Sequence, residues 1–284
     1  MIRLDAATVL LQWAVGGLLF LWVTTRGREV GIGYGWLVRG MYILMAAGAF
    51  AVGMWLDPVP VREASALAVV VAASVALGVS IARRKAGVAG ERARVERRSA
   101  RVAAMTGIDR RPDGPDQGAP EFPPGLDLVA PLVGVPGLVA AGIAAGDPAL
   151  LSVARVLVGA AFLGSISDGM LLGHWYLVQP GLARKPLLEM VRWTGVIWPF
   201  EIAVLLWPVG MVSVLNGTID DGYGGTLGWF WVACAVATIA LVVVTRAALR
   251  ERYYSAVMAA TGLLYLAILT AFGTDLVARA VLAT

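Results

Sequence analysis

The 284-residue chain is 59% hydrophobic and 15% charged, with a mean hydropathy of +0.77, far more apolar than a soluble domain. Several apolar runs reach the roughly 20 residues needed to cross a bilayer, and the only extended polar stretch runs from Arg83 to Asp127, so a large soluble domain is excluded. The net charge of +4 does not indicate nucleic acid, because arginines beside membrane spans are accounted for by topology and anionic lipid. The single cysteine, Cys234, excludes an internal disulfide and a cysteine-rich metal site.

In chain order, MIRLDAATVLLQW lacks a basic lead-in and no small-residue cleavage site follows, so it reads as a retained first helix, about 6–24. Helices two and three are expected at about 36–56 and 64–82. VGIGYG, between the first two, has the composition of a potassium-channel filter but no pore helix before it, and reads as a flexible turn. RRKAGVAGERARVERRSAR reads as a surface helix. The whole basic run 83–111 is expected to rest on anionic lipid headgroups or to dock a partner protein. PDGPDQGAPEFPP, 112–124, reads as a linker.

Five more helices are expected at about 126–146, 150–180, 191–215, 226–248 and 253–276. The fold class is therefore all-α, a polytopic membrane protein with eight transmembrane helices. It forms one membrane domain in three pieces: 1–82 with three helices, 83–125 as basic loop and linker, and 126–284 with five helices. Of the 23 Lys and Arg, all but Arg3, Arg62, Arg155 and Arg279 fall on one side of this arrangement. The positive-inside rule makes that side cytoplasmic, puts both termini on the other, and fits a cell inner (plasma) membrane. Trp22, Trp36, Trp175 and Trp193 then mark the inner boundary, and Trp55, Trp207, Trp229 and Trp231 the outer one.

The stretch GSISDGMLLGHWYLVQPG, 164–181, places Asp168 and the only histidine, His174, inside an apolar helix. Ionisable groups at such depth are costly and are functional candidates by default. Counted from Pro180 and Val191, Asp168 and Glu201 lie roughly 18 and 15 Å above the inner boundary, so the two acids are expected to be level and to face each other. A carboxylate pair in low dielectric can hold and release a proton near neutral pH. The bland alternative is that each acid bonds separately to Ser165, Ser167, Gln12, Thr194 or a carbonyl and merely joins helices.

His174 is a relay or ligand candidate beside Trp175 and Tyr176, with a carbonyl-bonded imidazole as the plain alternative. Trp198 and the kink expected at Pro199 complete the pocket next to Glu201. Arg39 could reach an acid or a ligand, though snorkelling to lipid phosphate is the simpler fate for it and for Arg155. The pairs Gly142–Gly146 and Gly169–Gly173 are read as helix-packing spacings. Asn216, Asp220 and Asp221 are read as turn chemistry, with weak cation binding as the alternative.

No nucleophile elbow, HExxH, paired CxxC or phosphate loop is present, so an enzyme is not the favoured reading. The leading expectation is proton-linked transport of a small solute or ion through a protonatable intramembrane pocket. The alternative is a membrane subunit of a respiratory or other complex, with His174, Trp175 and Tyr176 around the headgroup of a quinone cofactor.

Overall fold

The computed structural model describes residues 4–106, 119–208 and 210–283. Among the described residues all regular structure is helical: α1 (Ala6–Thr25), α2 (Ile32–Leu56), α3 (Pro60–Ala82), α4 (Ala89–Thr106), α5 (Val129–Ala144), α6 (Ala149–Val178), α7 (Lys185–Leu206), α8 (Met211–Leu215), α9 (Thr226–Ala248) and α10 (Tyr254–Val281). Short 3-10 turns occupy Arg84–Ala86 and Pro124–Leu128. α1, α2, α3, α6, α9, α10 and the combined stretch Pro124–Ala144 are long and apolar enough to cross a membrane, which makes the chain a multi-pass helical membrane protein. These are seven segments where eight were expected. The other long helix of the bundle, α7, has the length, but Lys185, Glu189, Arg192 and Glu201 make it more polar.

Neighbouring long helices run antiparallel. α1, α3, α6 and α9 lead toward the end of the bundle that carries α4, and α2, α5, α7 and α10 return from it. α1 is the central staff, packed by α2, α5 and α6, and 67% of its apolar window is buried against 33% for α2. Small residues make this closeness feasible where apolar surroundings give no hydrophobic drive. A Cβ on Gly16 would overlap the Ala160 carbonyl, one on Gly164 would strike the Gly16 backbone, and Gly17 receives the ring of Tyr42.

The expected small-residue contact also holds at Gly142, where a Cβ would stand 2.6 Å from Val153 Cα. Gly146, by contrast, sits at φ +107° in the turn after α5, where an added Cβ would meet nothing within 4 Å, so its role is conformational.

Several boundaries differ from those expected. α2 starts at Ile32, so VGIGYG is largely helix rather than a flexible turn. Its glycines serve close approach, Gly33 to the Trp175 ring and Gly35 to the Arg39 guanidinium. α7 starts six residues early, at Lys185 with Pro186 in its first turn, a position where proline costs no hydrogen bond. It ends at Leu206, so the expected helix 191–215 is divided before α8. α10 continues to Val281 and takes in Arg279. The surface segment begins its α-helix only after Gly87, at φ 57°, and α4 has no buried residue. Of the expected linker, residues 112–118 lie outside the described residues.

Candidate functional site

The interior of the bundle holds three groups of buried polar side chains. Nearest α4, the Arg39 guanidinium pairs with Asp127 through two contacts of 2.7 Å, lies 4.5 Å from the Phe122 ring, and shares Asp127 with the Thr25 hydroxyl at 2.8 Å. Arg39 is only 2% exposed, so the snorkelling expectation is corrected. Asp127, from the turn before α5, supplies a fixed counter-charge that leaves the guanidinium no need of lipid.

In the middle, Asp168 is fully buried. Its Oδ1 accepts from the Tyr42 hydroxyl at 2.6 Å, its backbone carbonyl accepts from the Tyr34 hydroxyl at 3.3 Å, and Oδ2 has no partner among the described residues. Tyr34 and Tyr42 are two turns apart on α2 and project from one face of it.

Toward the opposite end, Glu201 is also fully buried, and neither of its carboxylate oxygens has a hydrogen-bond partner among the described residues. The charges around it are Asp275 and Arg279 from α10 and Arg155 from α6. Arg279 bridges Asp275 at 2.7 Å one turn away and donates to the Gln12 side chain, whose amide reaches Asp275 at 3.5 Å. Arg155 is buried as well, with Nε donating to the Val204 carbonyl at 2.8 Å, so its expected snorkelling is likewise corrected. That carbonyl lies just before the helix end, where it lacks a helical N–H partner.

Beyond Arg279, a cavity of about 20 Å³, the size of one water, is lined by Asp5, Thr8, Asp57, Arg62 and Arg279. Arg62 pairs there with Asp5 and with Glu63.

The two acids of the expected pair are not level. Thr194 donates to Ser165 at 3.1 Å, which fixes the register of antiparallel α6 and α7. Asp168 then stands opposite Val191 and Glu201 opposite Val158, ten residues apart on α6, or about 15 Å along the axis. Two six-residue shifts of about 9 Å each make up the displacement: α7 begins at Lys185 rather than Val191, and the register sets Lys185 level with His174 rather than Pro180. The expected tethers find other partners: Ser165 pairs with Thr194, Ser167 with the Trp13 indole at 2.7 Å, and Gln12 with Asp275 and Arg279. Together they form a broken line of polar groups between the two acids.

The His174, Trp175 and Tyr176 cluster is dispersed, because successive helical residues point about 100° apart. His174 is exposed and its Nδ1 stands 3.2 Å from the Tyr265 hydroxyl of α10. Trp175 packs beside Tyr34 at 6.0 Å between ring centres, its buried indole N–H unpartnered, and Tyr176 donates to the Ala183 carbonyl in the turn before α7. Trp198 donates to the Ala235 carbonyl at 3.0 Å, and α7 continues through Pro199 to Leu206.

Reading the sequence missed the site roles of Tyr34, Tyr42, Asp127, Asp275 and Arg279. Asp275 and Arg279 were signalled by an acid and an arginine four residues apart in an apolar run. The tyrosines carried no signal, because Tyr is ordinary in such helices.

In the loop after α8, Asp221 accepts backbone N–H groups from Gly225 and Leu227 at 2.8 Å, Tyr223 at 2.9 Å and Gly228 at 3.4 Å. These bonds, Gly225 foremost, hold its carboxyl below the usual carboxylate range, and both oxygens are engaged in turn chemistry. Compared with protein-family models, with curated proteins and with solved structures, the chain matches none.

Proposed function

We propose that the chain crosses the cell inner (plasma) membrane eight times, with both termini outside, and that it passes protons along its polar interior in step with a small solute or ion. The observation that carries this reading is the state of the two interior acids: Asp168 keeps one oxygen without a partner and Glu201 keeps both, although each is fully buried. A purely structural acid in so costly a place would have its oxygens engaged. Asp168 and Glu201 act as successive stations rather than as a facing pair, with Ser167, Ser165, Thr194 and internal water between them, and Arg155 and Arg279 set the charge balance at Glu201.

α7 serves as the eighth span. Its other charges, Lys185, Glu189 and Arg192, lie in the first eight residues, and from Trp193 to Leu206 Glu201 is the one charged residue. Exposed Trp55, Trp207 and Trp229 gather at the far end, as an interfacial belt does. The side rich in Lys and Arg faces the cytoplasm.

The test is uptake by proteoliposomes, under an imposed pH gradient, from a panel of small organic and inorganic solutes. At least one solute should enter in proportion to the gradient and collapse it faster. A panel in which no solute couples to proton movement would overturn the reading.

A second reading rests on His174. An imidazole exposed beside Tyr265 offers a donor and acceptor pair to a quinone headgroup at the bundle surface, within a membrane complex. Quinone retained by parent protein in gentle detergent and lost from His174→Ala would favour it over transport.

A further inference from the structure

The end of the bundle that carries α4 has a cleft independent of the buried acids. α4 roofs it with Arg94, Arg97, Arg98 and Arg101, the α6 terminus and the following turn floor it with Val178, Gln179, Pro180 and Gly181, and its volume is about 640 Å³. Among the described residues four guanidinium groups line it and no carboxylate does.

The ordinary explanation for basic residues here is the carbonyl-rich C-terminus of α6, which attracts cations. That covers Arg94, which donates to the Gln179 side chain at 3.1 Å, and Arg97 is turned back to the Ala93 carbonyl at 3.1 Å. Arg98 and Arg101 remain, with no ion pair among the described residues, whereas Arg26, Arg28 and Arg92 each find a carboxylate.

We propose that this cleft binds the phosphate-bearing headgroup of an anionic membrane lipid, with Arg98 and Arg101 as the principal phosphate ligands. Planar guanidinium forks match phosphate oxygens in pairs. The cleft lies where a membrane-spanning helix ends, the level at which lipid phosphates lie. Val178, 60% exposed, and Val95 give it an apolar wall. An acyl chain would cover that wall, which a soluble phosphate or a nucleotide would leave wet. This inference does not depend on proton transport.

The experiment is native mass spectrometry of the full chain in neutral detergent, titrated with phosphatidylglycerol, with phosphatidylcholine, and with inorganic phosphate as competitor. Each arginine near a lipid surface contributes about 1 kcal/mol, so the double variant Arg98→Gln/Arg101→Gln should lose about thirtyfold in phosphatidylglycerol affinity. Phosphatidylcholine should bind weakly to both proteins, and millimolar phosphate should not displace the anionic lipid. Equal retention of phosphatidylglycerol by parent and variant would overturn the site. Displacement by free phosphate would overturn the assignment to lipid. Because α4 has no buried residue, the substitutions leave the bundle core untouched, and an unaltered thermal transition of the variant confirms that a loss of lipid is local.

Discussion

Arg279 shows how a single side chain organises the interior. It is buried between Asp275 and Gln12, with Glu201 near enough to feel its charge. Arg279→Gln would leave the buried Asp275 without its paired cation, and removing one member of a buried pair costs about 3–5 kcal/mol. The expected outcome is a clear drop in thermal midpoint in detergent, largely restored in Asp275→Asn/Arg279→Gln; an unchanged midpoint in the single variant would contradict it.

Asp221 makes a pH prediction of definite sign. Its folded-state pKa is depressed by backbone donors, so the stability it lends the loop is present above the unfolded value, about 3.9, and is lost as pH falls through the lower folded value. Hydrogen exchange at Tyr223, Gly225 and Leu227 should stay protected at pH 6 and open in acid. In Asp221→Asn it should already be open at pH 6.

At the scale of elements, backbone contact between α1 and α6 decides the architecture. Gly16→Val would set its Cβ against the Ala160 carbonyl oxygen, backbone that has no flexible side chain to yield, and overpacking costs typically about 1–3 kcal/mol, occasionally more. Gly40→Val, at a helical position with nothing within 4 Å of its Cβ, should be close to neutral. Comparison of the two melting curves in one detergent checks this, and equal midpoints would argue against α1 as the central staff.

The Gly16 and Gly164 contact was hidden in the sequence because it joins two helices 148 residues apart in the chain. A spacing rule sees only glycines four apart on one helix. The same locality explains the misplaced acids. Apolar runs located α6 and α7 as helices, but hydropathy placed the start of α7 at Val191, since Lys185 and Glu189 look like loop. A six-residue error there became about 9 Å of depth. Asp168 and Glu201 were legible as buried acids; which of them lies beside Tyr42 and which beside Arg279 was not, because that is set by packing between distant segments.

At the scale of the molecule, composition alone was enough for a helical membrane protein, and α7 is the place where hydropathy and architecture part company. If α7 spans, residues before and after it lie on opposite faces. Labelling by a membrane-impermeant maleimide in intact cells should therefore reach Asn216→Cys but not Ser99→Cys until the cells are opened. The native Cys234 is buried and contributes little background. Equal labelling of both from one side would contradict eight spans.

The most direct measurement is dye-reported proton flux in proteoliposomes, made on parent protein, Asp168→Asn and Glu201→Gln side by side. The parent should dissipate an imposed pH step, and each single variant, correctly folded by size exclusion, should slow it at least tenfold. Flux as fast in both variants as in the parent would contradict the idea that protons rest on these two acids.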